Sequence, residues 1–178
     1  MIKTNFYILS GGPGGGKTSV LEYLALKGLR YIPETARDII KESLSKGLTP
    51  RPDPATFARD MFFKDFDNYV SNSDSGSILF FDRSFIDSAG LIYEADLKFF
   101  NEIKNTHLTH RYNNKVFMTP PWKEIYKTDT ERDQSFEQAV AVYRWVCDWY
   151  VTNDYEIILL PQVSIESRAH FILEQLSL

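Results

Sequence analysis

The chain has 178 residues, enough for one compact domain that buries roughly 70% of the surface its unfolded chain exposes. Hydrophobic residues make up 43% and charged residues 25%, an ordinary globular balance, and no apolar run approaches the ~20 residues of a membrane span. Twenty basic against 24 acidic side chains leave a net charge of −4, which excludes a global field for nucleic acid, so an anionic ligand has to be held by a local device.

The single Cys147 cannot form an internal disulfide, and the opening MIKTNFYILSGG is broken by glycine too early for a signal peptide, so the expected setting is cytoplasmic. Along the chain, short apolar runs rich in β-formers alternate with longer segments of helical period. The strands expected are Phe6 to Ser10, Leu29 to Ile32, Ile78 to Asp82, Lys115 to Thr119 and Tyr155 to Leu160. Their near-continuous apolar character predicts burial on both faces of a parallel sheet. Helices are expected over Lys17 to Lys27, Glu34 to Lys46, Ala55 to Val70, Ser84 to Tyr93, Asp96 to His107, Ser135 to Val151 and Ser164 to Leu176. Gly28 and Gly47 fall where C-terminal caps are wanted, and the prolines from 50 to 54 demand a loop. The expected whole is a three-layer α/β domain over residues 1–178, with a five-stranded parallel sheet ordered 2-3-1-4-5 and a small lid near 120–136.

The first strand runs into Gly11-Gly12-Pro13-Gly14-Gly15-Gly16-Lys17-Thr18-Ser19, which carries five of the nine glycines and fits G-x-x-x-x-G-K-[ST]. Phosphate oxygens need several backbone N–H groups converging on one point, and glycine lets the chain close around them. The helix that follows adds unsatisfied N–H donors and the positive end of its dipole. Lys17 is placed to reach the β- and γ-phosphates, and the Thr18 hydroxyl to coordinate Mg²⁺. ATP is the expected nucleotide, with GTP the alternative.

Ligand sites in doubly wound sheets gather at the carboxyl ends of strands, so each strand end is a candidate. Strand three ends in Asp82, placed to hold Mg²⁺ directly or through water. Arg83 follows it, either as a phosphate or acceptor ligand or in an ion pair to Glu34 or Asp87. Asp87 suits the first turn of a helix. After strand two, Glu34 is placed as a general base toward the γ-phosphate, or as a carboxylate favouring a helix start. In the polar stretch from Pro120 to Phe136, Lys127 and Arg132 are the cations able to neutralise transferring phosphate. The aromatic series Tyr143, Trp145, Trp149 and Tyr150 reads as packing, Cys147 as buried filler, and His107, His110 and His170 have no spacing partner.

These residues resemble the P-loop kinase-like AAA_28 family, which shares its layout with the nicotinamide riboside kinase domain of NadR. The resemblance rests on the glycine-rich loop, Pro33-Glu34-Thr35-Ala36-Arg37, Asp82-Arg83-Ser84, Pro120-Pro121-Trp122 with Asp129-Thr130-Glu131-Arg132, and Tyr155-Glu156 to Pro161. A likeness to deoxynucleoside kinases implies Glu34 as catalytic base and Arg83 as a phosphate or acceptor ligand. The acidic and basic groups at three separate strand ends, Lys17, Glu34, Asp82 and Arg83, with Arg132 in the lid, lead to the expectation of phosphoryl transfer to a small hydroxylated acceptor such as a nucleoside. The chain departs from those kinases in lacking their closely spaced lid arginines, which leaves a nucleotide-dependent switch or hydrolase as the second expectation. Its length leaves no room for the helical lid domain of ring-forming AAA+ machines, so no hexameric ring is expected.

Overall fold

A computed structural model describes residues 2–49, 53–126 and 135–178. Its sheet has five parallel strands in the order β2-β3-β1-β4-β5, as expected. The strands are β1 (Phe6–Gly11), β2 (Arg30–Ile32), β3 (Leu79–Asp82), β4 (Lys115–Thr119) and β5 (Glu156–Leu159). The helices between and after them are α1 (Lys17–Leu26), α2 (Thr35–Ser45), α3 (Pro54–Ser71), α4 (Phe85–Ala95), α5 (Leu97–Thr109), α6 (Phe136–Thr152) and α7 (Ile165–Gln175). A 3₁₀ turn, Lys123–Ile125, lies between β4 and α6.

Local chemistry starts and stops these elements. Asp53 caps α3 by accepting from the Ala55 and Thr56 amides, and Pro54 occupies the first turn, where a missing N–H costs nothing. Ser84 with Asp87, and Ser135 with Gln138, form reciprocal capping boxes at α4 and α6. Gly28 and Gly47 follow α1 and α2 with positive φ, as expected of C-terminal caps.

The strand period of two divides the core across the sheet. Phe6 and Ile8 of β1, Phe81 of β3, and Val116 and Met118 of β4 pack against α3, α4 and α6. Leu9, Phe80 and Phe117 point the other way, to Val20, Leu21 and Leu24 of α1 and Ala169 and Ile172 of α7. Edge-to-face rings tighten the first layer, with Tyr69 and Phe85 at 5.3 Å and Phe81 and Tyr112 at 5.0 Å.

Burial on both faces holds for the three central strands and fails for the edges. In β2, Arg30 is exposed and Tyr31 and Ile32 only half-buried; in β5, Glu156 and Leu159 are exposed. An edge strand has a neighbour on one side only, and the helices cover it incompletely.

The register positions the site. Leu9 pairs with Asp82 and Gly11 with Thr119, so the ends of β1, β3 and β4 come together at one rim of the sheet.

Candidate active site

At that rim the chain turns from β1 into α1 through the glycine-rich loop. Gly14 and Gly16 both have φ of 77°, a left-handed conformation that a Cβ would strain. A side chain at Gly14 would also collide with the Tyr126 ring. Gly16 caps α1 without any side-chain hydrogen bond, and no acidic residue occupies the first turn. The first amides of α1 are therefore left to an anion. Pro13, Gly14, Gly16, Lys17, Thr18 and Ser19 line a cavity of about 1090 Å³. Gly11, Gly12 and Gly15 form the back of the loop: a Cβ on Gly11 or Gly15 would press on Thr119, and one on Gly12 on the Ala139 carbonyl.

Lys17 is buried, and its Nζ donates to the Gly12 carbonyl at 3.1 Å. Burial, and then the charge of Arg83, lower its pKa to about 8, while Asp82, Glu34 and Asp87 act the other way. The Thr18 hydroxyl donates to Asp82 Oδ2 at 2.8 Å. Asp82 is buried, which raises its pKa against the pull of Lys17, and its Oδ1 has no partner. A buried carboxylate oxygen without a partner beside a threonine hydroxyl is a donor set suited to Mg²⁺, which takes one or two protein oxygens and completes its shell with phosphate and water. Among the described residues no group of three or more His, Cys, Asp or Glu forms a metal cluster.

The third element comes from the ends of β2 and β3. Glu34 is the N-cap residue of α2, and Arg83 sits between β3 and α4 with φ of 68°. That left-handed backbone is uncommon for a residue other than glycine. Arg83 Nε donates to Glu34 Oε1 at 2.8 Å, and Arg83 Nη1 lies 3.6 Å from Asp87 Oδ1. Arg37 Nε is 3.5 Å from Glu34 Oε2. Burial alone would raise the Glu34 pKa, but Arg83 and Lys17 hold it down to about 2. Burial opposes the charge on Arg83 as well, and Glu34, Asp87 and Asp82 overcome it and raise its pKa. Asp87 accepts from Ser10 Oγ at 2.6 Å, Tyr150 Oη at 2.5 Å and the Ser84 amide at 2.9 Å, so it ties β1, α4 and α6 together besides capping α4.

Lys17, Thr18, Glu34, Asp82 and Arg83 are thus brought into one cluster. Lys127 and Arg132 lie outside the described residues. Tyr143, Trp149 and Tyr150 pack as expected, whereas Trp145 also lines the cavity. Cys147 is half-buried beside Tyr143. His107 is buried, with Nε2 3.1 Å from Asn153 Oδ1.

Two further residues join the site that the sequence does not single out. Arg168 of α7 is buried, donates from Nη1 to the Gly15 carbonyl at 2.9 Å, and stands 5.5 Å from the Trp122 ring, with its Nε unpartnered. It is a second cation at the back of the loop. Asp65 of α3 is buried and accepts from Thr35 Oγ1 at 2.7 Å and Ser88 Oγ at 2.6 Å, linking the helices next to Glu34 and Asp87. Burial raises its pKa to about 7 against those two hydrogen bonds.

The sheet order and the glycine-rich loop entering α1 define a three-layer α/β P-loop fold. The AAA_28 family (AAA domain) matches residues 6–168, and the chain belongs to that family. No curated protein matches the chain. Among solved structures it is similar to a deoxyadenosine kinase from M. mycoides with products dCMP and dCDP bound, at 13% identity and TM-score 0.71, covering 99% of each chain. The same enzyme with bound dATP gives 12% identity and TM-score 0.65 with 100% of each chain covered. The NadR protein in complex with NR gives 12% identity and TM-score 0.68; there 97% of this chain covers 52% of the other. At these identities the likeness concerns the fold. Among the described residues no helix is long and apolar enough to cross a membrane.

Proposed function

We propose that the chain is a Mg²⁺-dependent, ATP-binding phosphotransferase that passes a phosphoryl group to the hydroxyl of a small metabolite such as a nucleoside. The observation that carries this reading is the continuous cavity of about 1090 Å³ that joins the glycine-rich loop to Glu34 and Arg83 and continues past them between α2, α3, α4 and α6. Sites for one drug-sized ligand occupy roughly 300–1,000 Å³, so the space lies at the top of that range, in keeping with a nucleotide and a small acceptor side by side. A hydrolase needs no chamber beyond the γ-phosphate. The molecules bound in the similar structures, deoxynucleotides in the kinase and NR in NadR, are in keeping with such an acceptor.

In this reading the loop amides and Lys17 hold the β- and γ-phosphates. Thr18 and Asp82 hold Mg²⁺, which supplies charge neutralisation between the phosphates when bound. Arg83, whose charge is felt by Lys17, meets the charge on the moving phosphoryl group or holds the acceptor. Glu34 is ionised at neutral pH and accepts a hydrogen bond from the acceptor hydroxyl, aiming its oxygen at the phosphorus. A carboxylate with a pKa of about 2 is a weak base. That suffices for a loose transition state, in which the attacking oxygen is little bonded and its proton leaves late. Residues 120–136 serve as lid, with Arg132 as its cation, and a cytoplasmic setting is in keeping with the lone Cys147.

The test is incubation of the purified chain with Mg²⁺ and ATP labelled in the γ-phosphate, across a panel of nucleosides and related alcohols. Label in a phosphorylated acceptor is expected; label appearing only as inorganic phosphate with every acceptor would replace this reading with a hydrolytic switch.

A further inference from the structure

The half of the cavity beyond Glu34 has an unusual lining for a site meant to read a nucleobase. Its walls are Ile40 of α2, Phe57 and Met61 of α3, Leu91 of α4, and Val142 and Trp145 of α6. Among the described residues that line it there is no asparagine, glutamine, tyrosine or histidine. The polar groups gather at the end nearest the glycine-rich loop, where they engage one another: Glu34 with Arg83 and Arg37, and Asp87 with Ser10, Ser84 and Tyr150.

The tryptophan wall is fixed in a way that removes its one polar atom. Trp145 Nε1 donates to Glu94 Oε1 at 3.4 Å, and Trp149 Nε1 donates to the Ile86 carbonyl at 2.8 Å. The two indoles lie parallel, 6.3 Å apart with 7° between their planes. They rest on Gly90 of α4, where a Cβ would come within 2.8 Å of Trp145 and 2.9 Å of Trp149. What Trp145 offers the cavity is therefore carbon surface, backed by Trp149.

We infer that this lobe is built for an alcohol whose non-reacting body is a flat, apolar ring, recognised by stacking and shape and not through a hydrogen-bonding edge. The inference rests on the phosphotransfer reading and narrows its substrate class. A site that hydrogen-bonds a substrate edge rejects analogues lacking that edge by about 10⁴–10⁵-fold, because its own polar groups are stranded; an apolar pocket discriminates only about 10–200-fold. Among the described residues of this lobe nothing is stranded when the edge is missing. The reacting hydroxyl meets Glu34, and the ring fills the space between Phe57 and Trp145.

The experiment compares purine and pyrimidine nucleosides with a phenyl riboside, which keeps the sugar and replaces the base by a ring without donors or acceptors. With Mg-ATP and the full chain, kcat/KM for the phenyl riboside is expected within about 200-fold of the best nucleoside, and a larger loss overturns the inference. Trp145→Ala should raise KM for the phenyl riboside about 10-fold with kcat little changed, and Trp145→Phe should restore it, as a stacking contact requires. An unchanged KM in a folded Trp145→Ala protein counts against the lobe. If no alcohol receives label, the phosphotransfer reading has failed separately. Calorimetry of phenyl riboside binding then decides the lobe: an affinity within about 10-fold of the best nucleoside supports it, and absence of binding overturns it.

Discussion

Arg83 Nε donates to Glu34 Oε1 at 2.8 Å across the ends of β2 and β3, and Lys17 and Asp82 share the same electrostatic neighbourhood. The pair keeps Glu34 ionised and Arg83 charged at once, so the cavity presents an acceptor of hydrogen bonds and a cation side by side.

Replacing Glu34 by Gln keeps an oxygen for Arg83 but removes the negative charge that, in the proposed function, orients a hydroxyl. Transfer to the acceptor should fall at least ~100-fold, the scale of a positioned acid or base, with nucleotide affinity changed little. Single-turnover assays beside nucleotide titration check this; normal turnover would reduce Glu34 to a helix-start carboxylate.

Asp82 Oδ1 is buried without a partner, and Oδ2 accepts from Thr18. Asp82→Asn should weaken Mg²⁺ in the ternary complex about 10–100-fold, the usual cost of disturbing a metal's supporting carboxylate. The measurement is the Mg²⁺ concentration that half-restores ATP binding, which should not move if Asp82 has no part in holding the metal.

Arg168 grips the Gly15 carbonyl from behind the loop. A charge-assisted hydrogen bond of this kind contributes about 1.5–3 kcal/mol, so Arg168→Ala should weaken ATP by about 10-fold or more, and Arg168→Lys by less. Calorimetric titration of both variants, with melting curves to confirm folding, gives the comparison.

Asp65 supplies a pH signature. Its pKa rises from the ordinary 3.8 to about 7 on folding, so the folded state binds the extra proton between those values. The stability contributed by that proton is full below pH ~4 and is lost as pH rises toward about 7, a swing of the order of 4 kcal/mol. Glu34 acts oppositely and lower, losing stability as pH falls through its range toward about 2. Urea midpoints of the native chain minus those of Asp65→Asn should therefore decline between pH 4 and pH 7. A flat difference would mean Asp65 is ionised throughout.

Most of the frame is legible in the sequence because local patterns carry it. The loop from Gly11 to Thr18 follows an apolar strand and opens a helix, and Asp82 closes four apolar residues, so both announce the strand ends they occupy. An ion pair from Arg83 to Glu34 or Asp87 is one of the two roles its position suggests, and the structure supplies both contacts.

Arg168 and Asp65 are harder to read because their partners are remote in sequence, 153 residues away for Gly15 and 30 for Thr35. Each does leave a trace. Asp65 falls on the buried stripe of α3 with Ala58, Met61, Phe62 and Tyr69, and Arg168 beside Ala169 and Ile172 on that of α7. A charged residue at the helical period of a core face has to find a partner there, since burial without one is costly. The apolar lobe of the cavity is invisible in the sequence for a different reason: Phe57, Met61, Leu91 and Trp145 read as core residues, and only the gap between their helices makes them a wall.

Isothermal titration of the chain with ATP in the presence of Mg²⁺, repeated with Lys17→Ala, tests the central claim that residues 11–18 cradle a nucleotide's phosphates. A saturable heat in the native protein that disappears in a folded Lys17→Ala variant is the expected result. Absence of saturable heat in the native protein, or an equal heat in both, would contradict it.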